Sequence, residues 1–378
     1  MKKKKRQFLE LKERFKGEGI EPKCSHFGTC GGCMFQDISY ENQLLLKKEY
    51  LNNLLEGIIS VDTVHRGNPF GYRNRMDMVT AFGKVGLREA GSYKFVADIE
   101  SCEIMQERAN LIFRKARPFL KEAEQYNYLR HRGYNRYIVL RQAKFTGQLM
   151  VNFVVAEREN RLDDLIKHIV DEVDSISILF NDGLADLNFG EVIEDIKAGF
   201  IEEAFGDVRY RITPNSFFQS NSEIALQMYN IIKKNVSGRV LDLYSGIGSI
   251  SLFVASVTES VKGVDSISES IEAARENQKI NNINNVSFVC EDVKEFMKTN
   301  DESFDTVILD PPRSGMNPKV VNAINTMGTE KIVYMSCNPA AFRNELEGLD
   351  NYSIEMIEAF DMFPQTPHVE TLAVLKRK

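Results

Sequence analysis

Residues 240–250 read VLDLYSGIGSI, an apolar strand pattern that runs into a two-glycine turn and then into a helical pattern. Such a turn lets backbone N–H groups approach a ligand closely. The same alternation continues downstream. VSFVCED, FDTVILD and KIVYMSC have the look of short buried strands, while SESIEAARENQKIN and KVVNAINTM repeat their apolar positions at helical spacing. From about residue 206 onward this pattern predicts an α/β, Rossmann-like doubly wound sheet, with ligands at the carboxyl ends of its strands.

A nicotinamide fingerprint would carry a third glycine where Ser249 stands. The next strand ends at Asp265, nineteen residues after Gly246, where a carboxylate can accept both hydroxyls of a ribose. The third ends near Asp292, placed to meet an adenine edge. Two glycines followed by two acids suit S-adenosylmethionine, which has no pyrophosphate to cradle. Gly246, Gly248, Asp265 and Asp292 are therefore read as its binding residues, against the plainer reading of a bare GxG as a structural turn. The fourth strand ends in Asp310-Pro311-Pro312-Arg313. Many nucleic-acid methyltransferases carry an acid or amide and two prolines here, followed by an aromatic that stacks on an amino-bearing base. Arg313 in that place argues against amine methylation.

Cys337 closes the apparent strand KIVYMSC, and Glu370 lies thirty-three residues on, in HVETLAVL. An isolated cysteine at a strand end is most often a small buried hydrophobe. Here its neighbours Ser336, Asn338 and Pro339 make a polar turn, and it follows a cofactor pattern. A thiolate facing a methyl donor solves a specific problem: C5 of uracil is too electron-poor to attack a sulfonium unaided. Addition of a thiolate at C6 makes C5 nucleophilic, and a base must then remove the C5 proton. Cys337 is the candidate nucleophile and Glu370 the candidate base. Cys290 is assigned to the core.

The rest of the chain divides into a basic lead, 1–23, and a β-rich, mixed α+β central region, 24–205. A length of 378 residues suits two domains with a short extra module, and 43% hydrophobic with 27% charged residues describes a soluble chain. No apolar run reaches the ~20 residues needed to span a bilayer, and the basic start lacks the apolar core of a signal peptide. A cytoplasmic monomer is expected, with reduced thiols. Net charge is −6, yet residues 65–148 hold 16 Lys and Arg against 8 Asp and Glu, interleaved with aromatics. That combination grips phosphates and stacks on unpaired bases, although a solvated strand face is the commoner meaning of a charge run. Cys24, Cys30 and Cys33 follow a C-x5-C-x2-C spacing, with Cys102 as the fourth thiol able to close a zinc or iron–sulfur site.

Taken together, CSHFGTCGGC, YENQLLLKK, YRNRM, SFFQSN, LDLYSGIG, ILDPPRSG, SCNP and HVETLAVL closely resemble the RNA uracil-C5 methyltransferase family, over almost the whole chain from Cys24. The resemblance implies that Gln219, Tyr244, Asp265 and Asp310 bind S-adenosylmethionine, that Cys337 and Glu370 are nucleophile and base, and that the four cysteines hold a [4Fe-4S] cluster. Many members begin with a small RNA-binding β-barrel, the TRAM barrel, which 23 residues are too few to build. The resemblance is thus to an iron–sulfur, ribosomal-RNA branch without that barrel, with 23S rRNA as expected substrate and tRNA as the alternative. A cytosine-C5 methyltransferase fits less well, since those RNA enzymes carry a cysteine where Pro312 stands. An amino-group methyltransferase and a non-catalytic RNA-binding protein are the remaining alternatives.

Overall fold

The computed structural model describes residues 2–378, with side chains from Phe8 onward. The basic lead is helical over Lys2–Lys16, while Met1 and the side chains of its KKKKRQ run lie outside the described residues. Among the described residues the strands form an eight-stranded sheet, a seven-stranded sheet and a two-stranded hairpin, and no helix is long and apolar enough to cross a membrane.

The strands of the eight-stranded sheet are, in chain order, β1 Val64–His65, β2 Arg239–Leu243, β3 Ser260–Asp265, β4 Val286–Cys290, β5 Thr306–Leu309, β6 Lys331–Ser336, β7 Tyr352–Phe360 and β8 Glu370–Arg377. Their spatial order is β1-β7-β8-β6-β5-β2-β3-β4. The chain starts in the middle at β2, moves outward to β4 and returns to β5, so the order reverses between β2 and β5. That reversal opens a crevice at their carboxyl ends, the ligand position of doubly wound sheets. Both faces are covered. Along β6, Ile332 and Tyr334 join one apolar cluster while Val333 and Met335 join the other, which is why the strand reads as a continuous apolar run. β8 is inserted antiparallel between β6 and β7.

The seven-stranded sheet runs, in spatial order, Val96–Asp98, Lys84–Arg88, Arg75–Ala81, Asn135–Gln142, Leu149–Val155, Ser175–Phe180 and Glu191–Lys197. The helix Glu107–Glu122 buries Ile112, Phe113, Ala116 and Leu120 in the same apolar cluster as this sheet. The hairpin of Ile201–Phe205 and Val208–Ile212 packs Ile201, Phe205 and Tyr210 into the core of the carboxy-terminal unit, and β1, from the amino-terminal part, pairs in parallel with β7.

Candidate active site

The glycine turn after β2 is held from below. Tyr244 and Ser245 donate their N–H groups to Val264 O at 2.9 and 3.1 Å, and Tyr244 takes φ +68°, a conformation costly for a residue with a Cβ. Gly246 and Gly248 both have positive φ, but they differ in surroundings. A Cβ on Gly248 would stand 2.6 Å from the Phe288 ring, whereas one on Gly246 would meet nothing within 4 Å. Gly248 therefore serves packing, and Gly246 leaves open space for a ligand.

Asp265 accepts from Gly246 N at 3.0 Å with one oxygen and from Ile267 N at 2.9 Å with the other, fixing its carboxylate at the mouth of the turn. Asp292 has a local job that its reading as an adenine contact missed: one oxygen caps the helix Val293–Thr299, accepting from Lys294 N and Glu295 N. Asp310, at the end of β5, accepts from Gln219 Nε2 at 3.4 Å. Gln219 is set there by Asn74, whose Nδ2 donates to Gln219 O at 2.8 Å and to Ser222 Oγ at 2.9 Å. YRNRM and SFFQSN, far apart in sequence, thus form one clamp.

Asp242, inside LDL, belongs to this site although the sequence reading passed over it. It is buried, donated to by Ser251 Oγ at one oxygen, and its other oxygen has no hydrogen-bond partner. An acid at a core position of an apolar strand was the available signal. Burial pushes the Asp242 carboxyl up to about 7, with the Asp310 and Asp265 charges adding to the effect; burial raises Asp310 likewise to about 7. An unsatisfied buried acid beside a second acid fits a cation. S-adenosylmethionine, with its sulfonium and ammonium groups, matches this acceptor set.

The thiol and the carboxylate meet through strand register. β6 and β8 pair from Lys331↔Lys376 to Ser336↔Thr371, so the next rung beyond the ladder sets Cys337 opposite Glu370. Thr371 Oγ1 donates to Ser336 O at 3.2 Å and secures that end. Burial pushes the Cys337 thiol up to about 11, reinforced by the Glu370 and Asp310 charges and opposed by Arg313. Burial and Asp310 likewise push Glu370, only 6% exposed, up to about 8, again opposed by Arg313. These shifts tie Cys337, Glu370, Asp310 and Arg313 into one electrostatic cluster. Asn338 closes it: Nδ2 donates to Arg313 O at 2.9 Å, while Oδ1 caps the helix Pro339–Gly348. Cys337 thus sits just ahead of a helix N-terminus, which favours a thiolate. Arg313 Nη2 reaches His368 Nδ1 at 3.2 Å; burial and the Arg313 charge lower His368 to about 4, so it is neutral and accepts.

The remaining thiols are distributed differently from the sequence expectation. Cys290 is exposed at the end of β4, not in the core, with its thiol beside Ser266 O. Cys24, Cys30, Cys33 and Cys102 line one cavity. Among the described residues, however, no group of three or more His, Cys, Asp or Glu side chains is arranged to hold a metal ion. The expected four-cysteine cluster site is therefore not shown as a formed site. The thiols are turned to local partners, such as Gly32 N donating to Cys30 Sγ at 3.3 Å, and burial is the largest cause raising Cys30, Cys33 and Cys102, the last two to about 11 and about 12.

Part of the basic excess over 65–148 is internal or paired. Arg136 is fully buried and donates to the carbonyls of Asn181, Gly183 and Ala185; Arg141 donates to Ser216 O at 2.7 Å; Arg117 and Lys121 share Asp98. Among the described residues Arg73, Lys94, Arg130 and Arg132 form no ion pair. Lys94 lies over the ring of exposed Tyr93, and a cleft lined by Arg73, Arg88, Tyr93 and Tyr137 opens on this side. Cations left free beside exposed rings are the elements of a single-stranded nucleic-acid surface.

Residues 194–378 match the family model described as tRNA (Uracil-5-)-methyltransferase. The chain is 39% identical over 361 residues to the tRNA (uracil(54)-C(5))-methyltransferase of Pyrococcus furiosus, covering 95% of this chain and 86% of that protein. It is 38% identical over 359 residues to the enzyme of the same name from Pyrococcus abyssi, covering 94% and 86%. The crystal structure of the Pyrococcus abyssi tRNA (uracil-54, C5)-methyltransferase in complex with S-adenosyl-L-homocysteine superposes with a TM-score of 0.83 at 37% identity, over 92% of this chain and 84% of that one. The expected ribosomal-RNA branch finds no support in these relatives, whose names specify tRNA. That expectation leaned on the short lead before Cys24 and on a cysteine pattern, neither of which reads the substrate. With the fold, the crevice and these likenesses in agreement, the chain belongs to the tRNA (uracil-5-)-methyltransferase family, S-adenosylmethionine-dependent enzymes that methylate RNA uracil at C5.

Proposed function

We propose that this protein methylates C5 of uridine 54 in transfer RNA, with Cys337 as nucleophile and Glu370 as base. The observation that carries this reading is the strand register that opposes Cys337 and Glu370 at the crevice beside Asp310. Relatives named for that uridine, aligned over 95% of the chain, support the choice of RNA. S-adenosylmethionine supplies an electrophilic methyl group when bound. Gly246 leaves room for it, Asp265 is oriented toward a ribose, Asp292 and Tyr244 flank an adenine, and Gln219, Asp242 and Asp310 face the cationic end. The free cations and rings around Tyr93 take the flanking RNA.

Nucleotide-resolution mapping of 5-methyluridine in RNA from a strain lacking the gene tests the substrate. The expected result is loss at tRNA position 54 with ribosomal RNA unchanged; loss confined to 23S rRNA would overturn it.

The cavity lined by Cys24, Cys30, Cys33 and Cys102 is read as the seat of a [4Fe-4S] cluster, with zinc as the alternative. Four thiols along one cavity suit a thiophilic centre. Iron and acid-labile sulfide are expected in anaerobically purified protein. A zinc-only result would exclude the cluster, and absence of both would exclude a metal role.

A further inference from the structure

Between β7 and β8 the chain runs DMFPQTPHV, residues 361–369, and Glu370 pairs with Phe360 across the first rung that the loop closes. Any shift of this loop is felt at Glu370. Its backbone is tied down almost carbonyl by carbonyl, from four separate parts of the chain. Met362 O accepts from Asn221 Nδ2 at 3.2 Å, Phe363 O from Lys47 Nζ at 3.1 Å, Pro364 O from the Tyr72 hydroxyl at 3.0 Å, and Gln365 O from Met34 N and Phe35 N at 2.8 and 3.1 Å. Gln365 has φ +68°, a conformation that a residue with a Cβ keeps only when its surroundings impose it.

The imposing residues lie on one face of the helix Tyr40–Leu54. Gln43 accepts from Gln365 N at 3.1 Å and donates to Gln365 Oε1 at 2.9 Å. One turn on, Lys47 forms an ion pair with Asp361, both side chains fully buried. An ion pair taken out of water brings little net stability over an apolar pair of the same shape, but it fixes direction, which an apolar pair does not. Neither Gln43 nor Lys47 bonds to Cys337, Asp310 or Glu370, so they act through the loop.

We infer that Gln43 and Lys47 are positioning residues for the base step: they lock loop 361–369 so that Glu370 stands where the C5 proton of the uracil adduct will be. The inference rests on the proposed role of Glu370. Its test uses the full-length protein, a tRNA transcript labelled with tritium at uracil C5, and three readouts: S-adenosylmethionine affinity, denaturation-resistant protein–RNA adduct, and tritium release. Lys47→Met and Gln43→Leu are expected to keep cofactor affinity and adduct formation near wild type while slowing tritium release by about tenfold to a hundredfold, so that adduct accumulates. Lys47→Arg should restore release. Because Lys47→Met strands a buried acid, the double variant Lys47→Met/Asp361→Asn, which removes both charges, is measured alongside and should show the same selective delay.

Wild-type release in these variants would overturn the inference, as would a uniform fall in cofactor affinity, adduct formation and release, which marks a purely structural role. Glu370→Gln run in parallel separates the two ideas. If it releases tritium normally, the base assignment itself fails; if it stalls while the Lys47 and Gln43 variants do not, only the positioning role fails.

Discussion

Replacing Cys337 by Ala is expected to abolish methylation, lowering turnover by at least about four orders of magnitude, or about 5 kcal/mol of barrier, while S-adenosylmethionine affinity stays near wild type. In the proposed reaction the thiol supplies electrons. Sγ adds to C6 of the uracil, and the C5–C6 pair moves toward the C4 carbonyl, leaving C5 electron-rich. C5 then takes the methyl group, and the sulfonium sulfur leaves as a neutral thioether carrying the former bond pair. Without the thiol there is no step that raises electron density at C5. Cofactor affinity is spared because the residues placed around the cofactor, among them Gly246, Asp265 and Asp310, lie on other strand ends. Radiolabelled methyl transfer and cofactor titration measure the two quantities. Unchanged turnover would remove the nucleophile assignment. The raised thiol in the structure, about 11, means that ionisation has to be assisted when the cationic cofactor and the RNA arrive, since burial, Glu370 and Asp310 oppose it more than Arg313 and a backbone hydrogen bond favour it.

Glu370→Gln should let the first half of the reaction proceed and stop the second. Once C5 is methylated, the carboxylate takes the C5 proton, the electron pair restores the C5–C6 double bond, and the Cys337 thiolate is expelled. A positioned general base contributes about 10²–10⁴-fold, so the variant is expected to accumulate methylated adduct, seen as a gel shift that survives denaturation. No shift would remove the base assignment and leave the nucleophile standing. The pH dependence has a definite sign. Glu370 is pushed up to about 8, first by burial and then by Asp310, and only its deprotonated form can accept the proton. Elimination in the wild type should therefore quicken as pH rises toward 8 and level off above it. In the Gln variant that dependence should vanish.

How far the sequence could be read differs from one residue to the next. Gly246 and Gly248 were legible because a strand–turn–helix is local. Their different duties were not, since only the packed Phe288 ring shows that Gly248 is needed for space. Asp292 carried the spacing of a cofactor acid, yet an acid just ahead of a helix also has a local use as its cap. Asp242 was hidden in an apolar run. The excess of cations over 65–148 was a true count with a partly misleading meaning, because the sequence does not show that Arg136 and Arg141 are spent on buried carbonyls.

Hydrophobic period and turn chemistry, both properties of neighbouring residues, are enough to specify the doubly wound fold and the glycine turn, and residue type is enough to nominate Cys337 and Glu370 as the candidate pair. Tertiary structure alone decided that Cys337 and Glu370 face each other. That opposition follows because β8 enters antiparallel between β6 and β7, and an antiparallel register matches residues by a constant sum of positions, which no local pattern encodes. It decided, too, that a helix more than three hundred residues upstream in the chain holds the loop leading to Glu370. Buried polar groups must find partners wherever the fold puts them, and only the folded chain says which ones they find.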